Sequence, residues 1–305
     1  MTTRAQWVEG ARPRTLPAAV APVLAGTGAA AGLGAFDGVA ALLCAVLAIA
    51  LQVAVNYAND YSDGVRGTDD VRTGPMRLVG SGAATPAAVK RAALLAGAVG
   101  GVAGLALCAW TGHWWLLAVG AVCLVAAWGY TGGSKPYGYL GLGEVMVFVF
   151  FGLVATAGTT FAQAGTVSVG AWWAAVAVGS IACAILMANN LRDVHTDGPA
   201  GKRTLAVRLG ERRARICYAV MLAVPYVAAG IAAATAAGAF PLALAPLLVL
   251  TTLPIAIALS LIVLRGASGR DLIGVLRDTG LLELGVAVAF ALGLWWSGPA
   301  GGLTL

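Results

Sequence analysis

Residues 38–63 read GVAALLCAVLAIALQVAVNYANDYSD. The first part, 38–58, is an apolar run long enough to cross a bilayer, which takes roughly 17–25 residues. Its end changes character within a few residues. On a helix each residue advances about 100°, so Asn56, Asp60 and Asp63 fall within about 60° of one another and form one polar stripe. A lipid-spanning helix that ends in a carboxylate stripe predicts an all-α membrane protein with chemistry at one face of the bilayer.

The rest of the chain repeats the first half of that pattern. Apolar residues make up 60% of the 305 residues, charged residues 10%, and mean hydropathy is +0.87. Soluble domains carry roughly 25% charged residues. Further apolar runs lie near 15–35, 88–111, 114–131, 143–164, 170–190, 216–237, 240–264 and 279–297. With 38–58 they predict a polytopic bundle of about nine transmembrane helices around a central cavity, organised as one domain over 1–305. Gly97, Gly100, Gly101 and Gly104 are small residues that let helices approach closely in lipid. Residues 1–14, with Trp7, read as a cytoplasmic interfacial segment. Cys44, Cys108, Cys123, Cys183 and Cys217 form no CxxC pair and read as packing residues, not as a zinc or redox site.

The nineteen Lys and Arg are one-sided. Three precede the first run, five lie between the second and third, one between the fourth and fifth, seven between the sixth and seventh, and three between the eighth and ninth. None is left for the other side. The positive-inside rule then predicts a cytoplasmic N-terminus, an outer C-terminus and a cavity opening to the cytoplasm. It also accounts for the net charge of +6 without a nucleic-acid partner. Of the thirteen Asp and Glu, Asp37 is the one assigned to the outer side. Carboxylates contribute little to topology, so something at the opposite face calls for negative charge.

The stripe has a counterpart. Asn189, Asp193 and Asp197 follow the sixth run at i, i+4 and i+8. Two Asn-x-x-x-Asp patterns, at 56–63 and 189–197 and four runs apart, read as a parallel internal repeat facing one cavity. Asp60, Asp63, Asp193 and Asp197, helped by Asn56, Asn59 and Asn189, offer oxygen ligands without paired His or Cys. That set favours Mg²⁺ completed by substrate phosphates. Arg72, Arg77, Lys135, Lys202 and Arg203 are near enough in sequence to neutralise diphosphate oxygens. Tyr130, Tyr137 and Tyr139 suit stacking on an aromatic ring or a cation as well as a place in the interfacial belt. Glu144 is an ionisable group just inside the fifth run, where it costs energy.

At these motifs the sequence resembles the UbiA superfamily of intramembrane aromatic prenyltransferases, and within it the branch that acts on 1,4-dihydroxy-2-naphthoate. The resemblance rests on Arg12-Pro13-Arg14-Thr15-Leu16-Pro17, on Asn59-Asp60-Tyr61-Ser62-Asp63 with Gly67-Thr68-Asp69, and on Arg72-Thr73-Gly74-Pro75-Met76-Arg77. It continues through 135–144, from Lys135 to Glu144, Asn190-Leu191-Arg192-Asp193 and Gly201-Lys202-Arg203-Thr204-Leu205. Many superfamily members have an Asp at the position of Gly67, and here Asp69 is nearby instead. The resemblance implies Mg²⁺-dependent transfer of a polyprenyl group from its diphosphate to dihydroxynaphthoate, with loss of carbon dioxide, in a bacterial cell membrane. Arg77 is expected to meet the acceptor's carboxylate. Superfamily members with another aromatic acceptor and a secondary transporter are the competing readings.

Overall fold

The computed structural model describes residues 2–67, 76–131, 136–236 and 240–299, and among them there is helix and no strand. A short helix α1 (Arg4–Gly10) leads through a one-turn 3₁₀ segment, Pro13–Thr15, into α2 (Pro17–Gly32). Then follow α3 (Gly38–Arg66), α4 (Pro86–Thr111) and α5 (Leu116–Thr131). The sixth helix, α6 (Gly143–Ala164), is α-helical at both ends and π-helical over Phe148–Val154. The bundle is completed by α7 (Val169–Arg192), α8 (Glu211–Ala234), α9 (Leu242–Leu264) and α10 (Asp271–Ser297).

Each apolar run expected to span is helical, but the count of nine spans does not follow directly. Among the described residues, seven helices, α3, α4 and α6 to α10, are long and apolar enough to cross a membrane. Helix α2 has 16 residues and reaches that length only together with the Arg4–Thr15 segment, from which it bends by 46°. Helix α5 also has 16 residues, short of the usual span.

Helix ends follow local chemistry. Asp37 caps α3: its carboxylate accepts from the N–H groups of Val39 (2.9 Å) and Ala40 (3.0 Å). It also accepts from the Trp110 indole (2.8 Å). The Ala40 N–H, first among these donors, holds the Asp37 carboxyl below its ordinary range. Gly67, in the left-handed region at φ 72°, ends α3. In α9, Pro246 lies within a 3₁₀ stretch, Leu242–Thr252, which becomes α-helical at Leu253. Proline removes a backbone donor there, and neighbouring helices tolerate the irregularity.

Packing runs in one order that matters for the site. Helix α3 lies along α4, α7 along α8, and α10 across α2, α7 and α9. Close approach rests on small residues, as lipid packing requires. A Cβ on Gly152 of α6 would stand 2.6 Å from the Cα of Gly179 on α7, so these two backbones touch where only glycine fits. The apolar core runs down α7, α8 and α10 through Ile181, Tyr218, Val286 and Phe290, all fully enclosed. Residues near the ends of α3 and α7 that carry the two Asn/Asp motifs, Asn59 and Asp63 on α3 and Asn189 and Arg192 on α7, line one cavity.

Candidate functional site

The last turns of α3 carry the first motif, and the structure divides it between two tasks. Gln52, Asn59 and Asp63 line a cavity of about 700 Å³. They sit at i, i+7 and i+11, within about 40° on the helix. Asn56 and Asp60 lie on the shoulder of that face. The Asn56 amide donates to the Ala11 carbonyl (2.8 Å) and the Thr15 hydroxyl (3.0 Å). Asp60 is wholly buried and accepts from the N–H groups of Leu78 (2.8 Å) and Val79 (3.0 Å). Both side chains therefore secure neighbouring chain segments, the first the entry to α2, the second the segment that follows Arg77.

The second motif also departs from the uniform stripe. Helix α7 ends at Arg192, with Asp193 as its cap, and a separate turn runs over Val194–Asp197. The i, i+4, i+8 geometry of one continuous helix therefore does not hold past Asp193. Arg192 makes a two-pronged ion pair with Asp193, at 2.8 and 2.7 Å, and both are buried. Asn189 and Arg192 line the cavity. The chain then folds back, so that the Lys202 N–H meets the Asp197 carbonyl (2.8 Å) and its ammonium stands 3.7 Å from the Asp197 carboxylate.

Tyr139 joins the two halves. Its hydroxyl donates to Asp63 at 2.9 Å. Lys202 lies 5.5 Å from its ring centroid and Arg66 5.4 Å from it. Its carbonyl accepts from the Arg203 N–H at 3.1 Å. One tyrosine thus touches the first motif with its hydroxyl and the second motif's lysine with its ring. Arg77 stands 3.8 Å from Asp63, on the same side. Neighbouring Tyr137 is a half-buried phenol pushed up to about 12 by burial, and it donates to the Ala126 carbonyl at 2.6 Å.

The cavity lining is mixed. Asn59, Asp63, Arg77, Asn189 and Lys202 contribute polar groups, and Val147, Phe151, Ala182 and Ile185 contribute apolar wall. Among the described residues, no three of His, Cys, Asp or Glu come together as a ready cation cage. The donor set is the Asp63 carboxylate and the Asn59 and Asn189 amides on the wall, with the Asp197 carboxylate tied to the wall residue Lys202. It suits Mg²⁺, which takes one or two protein carboxylates and fills its shell with phosphate and water. Arg72, Lys135 and Asp69 lie outside the described residues.

Several residues of the wall were not assigned to the site from sequence. Gln52, Arg12, Arg14, Arg270, Arg277 and Phe151 all line the cavity. Gln52 had a signal, a lone amide in an apolar run seven residues before Asn59. Arg12 is the described non-glycine residue with positive φ, 54°. Glu144 is buried, and its carboxylate accepts from Asn190 at 2.9 Å, which ties α6 to α7 beside the cavity. His195 is exposed and pairs with Glu211 at 3.0 Å, away from the wall. All five cysteines are free thiols.

Known proteins are similar to this chain in sequence and in fold. The chain is 53% identical over 291 residues to the 1,4-dihydroxy-2-naphthoate octaprenyltransferase of Mycobacterium tuberculosis, covering 95% of this chain and 97% of that one. It is 42% identical over 222 residues to the protein of the same name from Escherichia coli, covering 71% and 72%. Among solved structures, a UbiA homolog from Archaeoglobus fulgidus bound to GPP and Mg²⁺ matches with a TM-score of 0.66 at 16% identity, covering 94% of this chain and 98% of its own. That last likeness is one of fold. The UbiA prenyltransferase family matches residues 19–271, and the chain belongs to that family.

Proposed function

We propose that this protein transfers a polyprenyl group from its diphosphate to 1,4-dihydroxy-2-naphthoate in a Mg²⁺-dependent reaction that releases carbon dioxide and yields demethylmenaquinol. The observation that carries the reading is Tyr139, whose hydroxyl meets Asp63 while its ring lies under Lys202, the partner of Asp197. Residues from both motif helices, Asn59 and Asp63 on one side and Asn189 on the other, line the same cavity, together with the apolar side chains of Val147, Phe151, Ala182 and Ile185. The names of the relatives supply the acceptor, and the Mg²⁺ and GPP of the structural neighbour support the cofactor and the donor.

Asp63, Asp197, Asn59 and Asn189 would hold the metal. Bound there, Mg²⁺ would neutralise charge that develops on the leaving diphosphate. Arg77 and Lys202 add cations on the same side, and Arg72, Lys135 and Arg203 belong to this group by sequence position. As the allylic C–O bond breaks, its electron pair leaves with the diphosphate. Val147, Phe151, Ala182 and Ile185 keep water from the allylic cation. The electron-rich ring forms the new C–C bond, and the C–CO₂⁻ bond returns its electron pair to the ring as carbon dioxide departs. The balance needs no further oxidant or base. The protein sits in a bacterial cell membrane with its N-terminus and site cytoplasmic and its C-terminus outside, the reading supported by the one-sided Lys and Arg.

An acceptor panel with one labelled prenyl diphosphate and the purified protein in detergent tests this. Dihydroxynaphthoate should be prenylated, with EDTA abolishing turnover. Preference for a different aromatic acceptor, or no consumption of prenyl diphosphate, would refute the assignment.

A further inference from the structure

Gln52 lies in the middle of α3, on the cavity wall, and is 8% exposed. Its amide orientation is dictated by its neighbours. The Ala11 carbonyl only accepts, so the Asn56 atom facing it at 2.8 Å is the amide nitrogen. The Asn56 carbonyl oxygen then faces Gln52 at 3.3 Å, and the Gln52 atom opposite must be its NH₂. The same NH₂ donates to the Thr15 hydroxyl at 3.1 Å. That hydroxyl also accepts from Asn56 at 3.0 Å and donates to the Arg12 carbonyl at 2.9 Å, so it is saturated. Both Gln52 N–H groups are thus used. Its carbonyl oxygen, Oε1, is buried with no hydrogen-bond partner.

A buried acceptor without a donor is costly, and a site that leaves one on its wall is shaped for a ligand that brings the missing hydrogen. A prenyl diphosphate cannot bring it: its tail is hydrocarbon and its ionised phosphates only accept. Of the two substrates, the aromatic acceptor is the one that carries such a donor, in its phenolic hydroxyls. We infer that Gln52 Oε1 accepts a hydrogen bond from a phenolic hydroxyl of the aromatic acceptor and is a specificity-determining residue for it. This inference rests on the prenyl-transfer reading above. The spacing suits it. Gln52 lies eleven residues before Asp63, about 16 Å along the helix axis. A metal-bound diphosphate and a bicyclic ring placed end to end fill a distance of that order.

The test compares inhibition by 1-hydroxy-2-naphthoate and 4-hydroxy-2-naphthoate, each lacking one hydroxyl, against dihydroxynaphthoate turnover by the full-length protein in detergent. In the wild type, the analogue without the bonded hydroxyl should bind more weakly than the other, on the order of ten- to a hundredfold. Gln52→Met should erase that difference and raise KM for dihydroxynaphthoate, while KM for the prenyl diphosphate stays unchanged. A persisting difference in Gln52→Met, or an equal loss for both substrates, would overturn the inference. Should the variant fail to fold, the wild type decides alone: equal inhibition by both analogues means that Oε1 meets only water. A wild type that prenylates some other aromatic and not dihydroxynaphthoate overturns the function reading, and this assignment with it. Turnover of dihydroxynaphthoate with equal analogue binding overturns this assignment alone.

Discussion

Asp60 and Asp63 are three residues apart and face different surroundings. Both Asp60 carboxylate oxygens accept backbone N–H groups, those of Leu78 and Val79, and Leu78 is itself fully enclosed. Asp63 lines the cavity, with Tyr139 and Arg77 beside it. Truncation should separate the two. Asp60→Ala strands two N–H groups and should destabilise the protein by about 1–3 kcal/mol, lowering the thermal midpoint along with activity. Asp63→Ala strands one tyrosine hydroxyl and should lower the midpoint less than Asp60→Ala does, but should lose turnover on the order of 10²-fold, since it removes a group that acts where charge develops. Midpoint and turnover measured on both variants in detergent decide it, and identical behaviour would return Asp60 to the cavity wall. The sequence placed both in one stripe because a 3.6-residue period reports a common face. It does not report that the face is divided between a cavity and an irregular backbone segment.

Helices were the legible part of the molecule, because a lipid-spanning helix must be apolar over most of its length. What periodicity could not convey was how they end. The break after Arg192 follows from the local pairing of Arg192 with Asp193, which competes with helix continuation. The π-helical stretch of α6, which contains the cavity residue Phe151, has no apolar signature of its own. At the far end of α3, Asp37 was legible as the single acid assigned to the outer side, and the structure supplies its reason as a cap. Asp37→Ala should cost about 1 kcal/mol at neutral pH. The folded-state pKa of Asp37 is depressed, so its contribution is fully present above the ordinary carboxylate range near pH 4 and lost as pH falls through the folded value. The midpoint gap between wild type and variant should therefore narrow on acidification. A gap that widens at low pH would mean that the carboxylate does not act as the cap.

At the scale of the whole molecule, residues of two motifs 133 residues apart line one cavity, and Tyr139 contacts Asp63 of the first and Lys202, which pairs with Asp197 of the second. Spacing predicted the convergence, and the bridge was beyond its reach because it joins a loop tyrosine to partners on both sides. The proposed reaction requires a single metal-dependent diphosphate site built jointly by both motifs. Calorimetric binding of an unreactive prenyl thiolodiphosphate, with and without Mg²⁺, to wild type, Asp63→Asn, Asp197→Asn and the double variant tests it most directly. Wild-type binding should require Mg²⁺, and either single substitution should weaken it by roughly tenfold or more. The double variant should lose less than the two single losses combined, because the two carboxylates serve one ion. Tight binding in EDTA, or normal Mg²⁺-dependent binding in either single variant, would contradict a shared site.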